Sequence, residues 1–440
     1  MTVPDASAPP HRRPRALSTT IVTDVAALER RRADWDALLA RSATNQVTQS
    51  PFWLLAWWRI FGPLDGRRLV AGLFFDGDRL VGVAPLLMRV HRYHRVLPFR
   101  RLELVATGEP EADEIVSEYL GLVIERGYEE AVADAFAGAL ADGRFGDWDE
   151  LLLSLLDGEA PASPLLQPAL ARRGLGVSTA QSGTAPLIKL PKDWNAYLAA
   201  LSGSGRYMVK RSIKEFEKWA GPDARVERAT TAAQLEEGKQ ILVRLHETRW
   251  KAAGLGGVFA SQAFRSFHDG VMRELLERDA LELTWLRVGG QPIAVSYSIV
   301  WNNRVQFYQG GRMTEVPHGI RPGIVLHAYA IKAAIAAGRE EYDFLSGASQ
   351  YKLQMSTATR PLLNLRASRP RYREDLLRLA DRGVDLLRQT RRQLRDFTDR
   401  RRAQSAARSA EPDTKADTKA DTTTPAQRTP AAPDPPAKPA

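Results

Sequence analysis

Gln306-Phe-Tyr-Gln-Gly-Gly-Arg-Met-Thr-Glu-Val-Pro-His-Gly-Ile-Arg-Pro-Gly-Ile-Val-Leu326 decides how this chain reads. Residues 305–310 have strand character and run into paired glycines. A polar loop follows, and Arg321-Pro322-Gly323 opens an apolar helix expected over 323–337. Proline suits the first helical turn, where its missing N–H is no loss. Glycine removes side-chain bulk where a ligand would approach the backbone. The free N–H groups of such a turn make an anion site, pyrophosphate above all, and Arg312 or Arg321 would add charge. The same residues also fit an ordinary strand–loop–helix link, because glycine-rich loops are common.

Downstream come Gly338-Arg-Glu-Glu-Tyr-Asp-Phe-Leu-Ser-Gly347 with a short strand at 342–345, then Tyr351-Lys352, then a last strand near 362–367. Upstream, strands at 281–288 and 292–301 flank Gly289-Gly290, a hairpin signal. Helices are expected over 194–201, 206–219, 232–253 and 262–278. The first half echoes this plan. Strands at 68–75 and 79–90 meet at Asp76-Gly77-Asp78, and the second contains Val-Ala-Pro where its counterpart contains Ile-Ala-Val. Helices are expected there over 26–39, 51–61, 129–141 and 163–173, with a strand at 150–155. The pattern predicts an α/β (α+β) chain of two similar halves, each a mixed sheet flanked by helices. The divisions fall at 1–18 (disordered), 19–185, 186–369, 370–402 (a basic amphipathic helix) and 403–440 (a disordered tail).

Composition narrows the classes. With 440 residues, a soft prior of about 150 residues per domain gives two or three domains. The absence of cysteine excludes disulfides, thiolate metal sites and cysteine nucleophiles, and no metal cluster is expected. The longest apolar run, 52–58, has seven residues, far short of the roughly 18 a spanning helix needs. A cytoplasmic protein is expected, with peripheral membrane contact as a variant. Of the net charge of +10, half sits in 371–402, where eleven Arg face six acids. The remainder is too diffuse to imply nucleic acid by itself. The tail from 403 onward has no aromatic residue and cannot offset its chain entropy by burial.

The order of these pieces resembles the GNAT acyltransferase superfamily, and within it the CelD/BcsL-like branch of cellulose and exopolysaccharide biosynthesis. The pieces that carry the resemblance are the basic helix near 203–219, the hairpin with Gln291-Pro-Ile-Ala, the strand end Tyr308-Gln309-Gly310, Arg321-Pro-Gly, and Tyr342-Asp-Phe-Leu-Ser-Gly with Tyr351-Lys352. The resemblance covers about 185 residues. The first half resembles a second, degenerate copy, as in FemAB-like double-GNAT proteins. The resemblance implies acetyl-CoA or another acyl-CoA as donor, with pantetheine in a gap beside strand 305–310 and pyrophosphate at turn 319–323. Gln309, Gly310, Gly311, Arg312, Gly319, Ile320, Arg321 and Gly323 are then the cofactor-binding candidates. His318-Gly-Ile-Arg-Pro-Gly stands where the family's more familiar pyrophosphate signature would be.

Direct attack of an acceptor on a thioester needs positioning, a base and stabilisation of an oxyanion. Asp343, at a strand end beside the expected gap, is a candidate base or an exposed strand residue. His318 is a candidate base near neutral pH or a surface loop histidine. Tyr308 could protonate the leaving thiolate or pack in the core. Lys352 could contact a phosphate or anionic sugar, or lie solvated on a helix. His246 reads as a packed helix histidine. Lys210, Lys214 and Lys218 recur every fourth residue and form one cationic face. Three functions fit. The first is an acetyltransferase acting on a sugar or glycan precursor, with membrane or synthase contact. The second is a FemAB-like transferase drawing on aminoacyl-tRNA, the one reading that brings in nucleic acid. The third is a non-catalytic partner-binding module of polysaccharide synthesis.

Overall fold

Alternating apolar strands, glycine turns and capped helices fold into a two-lobed α/β molecule. The computed structural model describes residues 16–377 apart from 253, 255, 348 and 371–373. The first lobe contains β1 (Ser18–Val22), α1 (Val25–Arg30), α2 (Arg32–Arg41), α3 (Pro51–Phe61), β2 (Arg68–Leu69), β3 (Ala71–Asp76), β4 (Arg79–Ala84), β5 (Leu86–Tyr93), β6 (Leu97–Leu104), β7 (Val123–Ile124), α4 (Glu129–Ala141), β8 (Glu150–Asp157), α5 (Ser163–Arg172) and β9 (Gly176–Lys189). The second contains α6 (Trp194–Ala200), α7 (Gly203–Ala220), β10 (Arg225–Arg228), α8 (Ala232–Ala252), α9 (Gln262–Glu277), β11 (Leu281–Val288), β12 (Gln291–Trp301), β13 (Arg304–Arg312), α10 (Pro322–Ala336), β14 (Glu341–Asp343), α11 (Gln350–Met355) and β15 (Ala358–Ser368). Beyond these elements, the helix expected over 370–402 is described only at 374–377, where the chain is helical. The rest of it and the tail from 403 lie outside the described residues.

Local chemistry sets the boundaries. Ser50, Asp193, Ser202 and Ser261 cap α3, α6, α7 and α9 through their side-chain oxygens. Gly289 and Gly290, at φ 53° and 79°, make the hairpin between β11 and β12 with the backbone twist such turns require. Two expectations change. The strand expected over 79–90 divides at Pro85, which separates β4 from β5; proline cannot donate to a sheet ladder, so the chain changes sheets there. The helix expected over 26–39 is two helices, α1 and α2, parted at Arg31.

A small sheet has the order β1-β3-β4-β7, and an 11-stranded sheet the order β10-β11-β12-β13-β14-β9-β15-β8-β6-β5-β2. Each half contributes one antiparallel pair followed by one parallel pair: β5/β6 with β6/β8, and β12/β13 with β13/β14. A helix, α4 or α10, lies in the connection between the two parallel strands in each case, as a parallel crossover needs. At the centre the halves exchange strands. β9 pairs with β14 of the second half, and β15 pairs with β8 of the first as well as with β9. The sequence position 185/186 falls inside β9. Trp53 of α3 is fully buried and lies edge-on to Phe267 of α9 at 5.0 Å, so the apolar core also runs from one half into the other.

Candidate functional site

The central feature lies where β13 leaves its neighbours. On one side, Tyr297 pairs with Gln309 and Ser298 with Phe307, so Tyr308 is the extra residue of a β-bulge. On the other side, β13 pairs with β14 only from Arg304↔Glu341 to Gln306↔Asp343. Past that point the chain after β14 turns through Leu345, whose φ is 55°. The two strands part, leaving 307–312 facing 344–347 without a ladder between them.

The glycines and arginines of the quoted stretch serve different ends. The N-terminus of α10 has Arg321 as its cap residue, Pro322 in the first turn, and no side-chain cap bond. Its first N–H groups therefore have no intrahelical partner. Gly319 needs its φ of 90°, and a Cβ there would meet nothing within 4 Å. A Cβ on Gly323 would make only an ordinary 3.6 Å contact with Cδ of Arg312. Gly310 is tighter, with the backbone oxygen of Val295 3.0 Å from the Cβ position. Gly311 has a packing role: a Cβ there would sit 2.6 Å from the Leu245 carbonyl carbon, so this glycine lets α8 lie against β13. Gln309 and Ile320 are partly buried, and Arg312, His318 and Arg321 are exposed. Among the described residues no hydrogen bond joins His318 to Asp343, Tyr308 or Lys352.

Asp343 and Lys352 stand in one buried polar cluster. Asp343 is fully buried at the end of β14, opposite Tyr342 and Phe344, as strand alternation requires. Its Oδ1 accepts from the Leu345 N–H at 2.7 Å. Its Oδ2 accepts from the Tyr119 hydroxyl at 2.7 Å and from Arg360 at 3.2 Å. Burial raises this carboxyl to about 6, against the opposing pull of Tyr119 and Arg360. Arg360 also donates to both oxygens of Glu341, at 3.0 and 2.8 Å. Lys352 is not a solvated helix lysine. Its ammonium donates to the carbonyls of Phe344 and Ser346, both at 2.7 Å, and so ties down the strand end. Burial lowers its pKa.

Several partners come from the first lobe and were not expected from the sequence. The Ser346 N–H donates to both oxygens of Glu118, at 2.9 and 2.8 Å. Glu118 is 3% exposed, and burial raises its carboxyl to about 8. Tyr308 donates its hydroxyl hydrogen to the carbonyl of Ile115. That carbonyl can only accept, so His268 Nε2, 3.1 Å from the same hydroxyl, is the N–H donor. Burial lowers His268 to about 3, which keeps the imidazole neutral. Ile115, Glu118 and Tyr119 all lie in the 18-residue connection 105–122 between β6 and β7. The signal available beforehand was its length: a long aperiodic connection in a compact lobe is often a functional segment.

A bulged, unpaired strand residue, an uncapped helix start and buried acids at one strand opening together suit binding of an extended anionic ligand and proton transfer beside it. The architecture is a tandem GNAT-like fold with mixed sheets flanked by helices. Within it, residues 203–353, about a third of the chain, match the family model described as the acetyltransferase (GNAT) domain. The crystal structure of FemX aligns over 78% of this chain and 96% of its own, with TM-score 0.51 and 11% identity, a likeness of fold. The C-terminal domain of a putative lysylphosphatidylglycerol synthetase from Agrobacterium fabrum aligns over 81% and 96%, with TM-score 0.45 and 12% identity. A tandem GNAT protein from the clavulanic acid biosynthesis pathway aligns over 80% and 100%, with TM-score 0.43 and 14% identity. No curated protein matches the chain. No helix among the described residues is long and apolar enough to cross a membrane.

Proposed function

We propose that the protein transfers an acyl group from an acyl-CoA, acetyl-CoA in the first instance, to the amine or hydroxyl of a sugar or glycan-precursor acceptor. The observation that carries this reading is the parting of β13 from β14 after Gln306↔Asp343, directly ahead of the uncapped start of α10. The residues fit the donor chemically. Gly319 and Gly323 leave backbone uncovered, and the first N–H groups of α10 suit a pyrophosphate. Arg312 and Arg321 would add charge. The donor, when bound, supplies an activated acyl carbonyl. Tyr308, as the bulged residue, has no Cα partner in the β12 register, and its backbone N–H, turned toward the opening, would suit an oxyanion. The Tyr308 hydroxyl stays protonated, burial being the largest cause of its raised pKa, and its bond to the Ile115 carbonyl anchors the bulge beside the opening. The sugar class of acceptor follows from the CelD/BcsL-like resemblance of the same segment.

Calorimetric titration with acetyl-CoA tests the donor, using wild type and Gly323→Trp, both confirmed folded. Saturable binding lost or weakened at least tenfold in the variant is the expected result. No binding by folded wild type overturns the reading. One observation favours a second donor, aminoacyl-tRNA. Lys210, Lys214 and Lys218 are exposed along α7 and have no ion-pair partner among the described residues. tRNA binding that falls steeply with salt, in the absence of acetyl-CoA binding, would select it.

A further inference from the structure

Connection 105–122 is held in an unusual backbone. Val116 and Tyr119 both have left-handed φ, 51° and 58°, and Val116 is β-branched, for which that conformation is costly. Across the lobe boundary, Leu345 shares it at 55°. Three strained non-glycine residues thus flank the contact between Glu118 and Ser346. Such strain persists only where surrounding bonds enforce it, and it concentrates at functional sites. The enforcing bonds come from the first lobe. Thr48 donates to the Glu118 carbonyl at 2.6 Å, Gln49 to the Tyr119 carbonyl at 3.0 Å, and the Trp53 indole to the Ser117 hydroxyl at 2.9 Å.

Several groups around the strand opening could exchange a proton, and geometry separates them. Asp343 accepts from three separate donors, the Leu345 N–H, the Tyr119 hydroxyl and the Arg360 guanidinium. The Lys352 ammonium is spent on two carbonyls. His268 donates to Tyr308 and lies behind it, away from solvent. Glu118 differs: its carboxylate takes hydrogen bonds from Ser346 alone among the described residues, and Ser346, just past the end of β14, is partly exposed. That places the buried Glu118 carboxylate against the backbone just past Gln306↔Asp343, where the β13–β14 ladder ends.

We propose that Glu118, supplied by the first lobe, is the catalytic acid–base group of the second lobe's site. This rests on the acyl-CoA reading above. As the acceptor's nitrogen or oxygen attacks the acyl carbon, the new C–N or C–O bond forms and the acceptor's proton passes to the Glu118 carboxylate. The C–S bond then breaks, its electron pair stays on sulfur, and Glu118 returns the proton to give the free thiol. One proton moves from acceptor to sulfur, and Glu118 ends as it began. The charged and titratable groups that face it are Asp343, Lys352, Tyr119, Tyr308 and, beyond Asp343, Arg360. A carboxyl that burial brings near neutrality is well matched to the transfer.

The test compares the full-length protein with Glu118→Gln and Glu118→Asp in three measurements. The first is acetyl-CoA binding by calorimetry. The second is thiol release from acetyl-CoA with a panel of amino sugars from pH 6 to 10, followed with a thiol-reactive dye; the chain's lack of cysteine leaves no protein background. The third is the thermal midpoint of ligand-free protein against pH. Folding raises this carboxyl's pKa, so the stability it lends is complete below the ordinary Glu value and is lost as pH rises through about 8. The expected result is unchanged binding with thiol release about 100-fold slower in Glu118→Gln. Corrected for the free-amine fraction of the acceptor, the wild-type rate should rise to a plateau above pH 8 and the Gln variant should show no such rise, while the ligand-free midpoint of wild type should fall relative to Glu118→Gln as pH rises toward 8. Wild-type release and pH profile in a Gln variant that binds acetyl-CoA would overturn the role of Glu118. If Glu118→Gln does not fold, a folded Glu118→Ala with a wild-type rate and profile would overturn it equally, whereas activity kept in Glu118→Asp supports it. Absence of acetyl-CoA binding in wild type would instead remove the donor reading, and the proposal with it.

Discussion

Arg360 is the residue that makes the polar centre of the molecule tenable. Its side chain is 4% exposed, and it neutralises Glu341 and Asp343, two carboxylates that are themselves buried. Its guanidinium also lies 5.3 Å from the ring centre of Tyr119. Removing one partner of a buried ionic network leaves uncompensated charge, a far larger cost than losing an exposed pair. Arg360→Met should destabilise the protein by about 3–5 kcal/mol in denaturant unfolding. A loss below about 1 kcal/mol would mean that solvent, not Arg360, satisfies those carboxylates. Lys189 reaches Glu341 at 2.8 Å, but its side chain is 61% exposed, so it offers little compensation.

At the scale of elements, the two glycines at either end of the β13–α10 connection do opposite work. Gly311 lets α8 approach β13, with the Leu245 carbonyl carbon 2.6 Å from where a Cβ would stand. Gly323 faces open space except for Arg312. Gly311→Ala should therefore cost about 2 kcal/mol or more, since a helix backbone must shift to admit it. Gly323→Ala should change stability by less than about 0.5 kcal/mol, in keeping with a good helix former in an unobstructed first turn. Thermal unfolding of both variants checks the contrast. Equal effects would show that α8 does not hold its close approach in solution. A site reading from sequence treats both as ligand-facing glycines; only the neighbouring helix distinguishes them.

At the scale of the whole molecule, the exchange of β9 and β15 makes the two halves interdependent. β14 has its outer partner in β9, and β8 has its in β15, so neither half completes its sheet alone. Trp53, Phe267, Tyr297 and Tyr308 pack across the same boundary. Calorimetry should show the folded body unfolding in one cooperative transition rather than two. Two resolved transitions would mean that the halves are thermodynamically separate despite the shared sheet.

The sequence by itself determined the local elements of the second half and the repetition of the plan in the first. Strand alternation, Gly289-Gly290 and Pro322 act over a few residues, so their consequences are visible in a few residues. It also singled out Tyr308, Asp343 and Lys352, since a strand end beside a glycine-rich loop is a local pattern. Long β9 was missed because residues 176–184 are small and polar, exposed along much of their length, and lack a clear apolar alternation. Only the tertiary structure decided what surrounds those candidates. Tyr119 meets Asp343 across 224 residues, and Glu118 meets Ser346 across 228. The connection that carries both acquires its shape from Thr48, Gln49 and Trp53 rather than from any propensity of its own. A carboxyl's burial, and with it the pH at which it can exchange a proton, belongs to the packed molecule, because desolvation is imposed by neighbours that are distant in the chain.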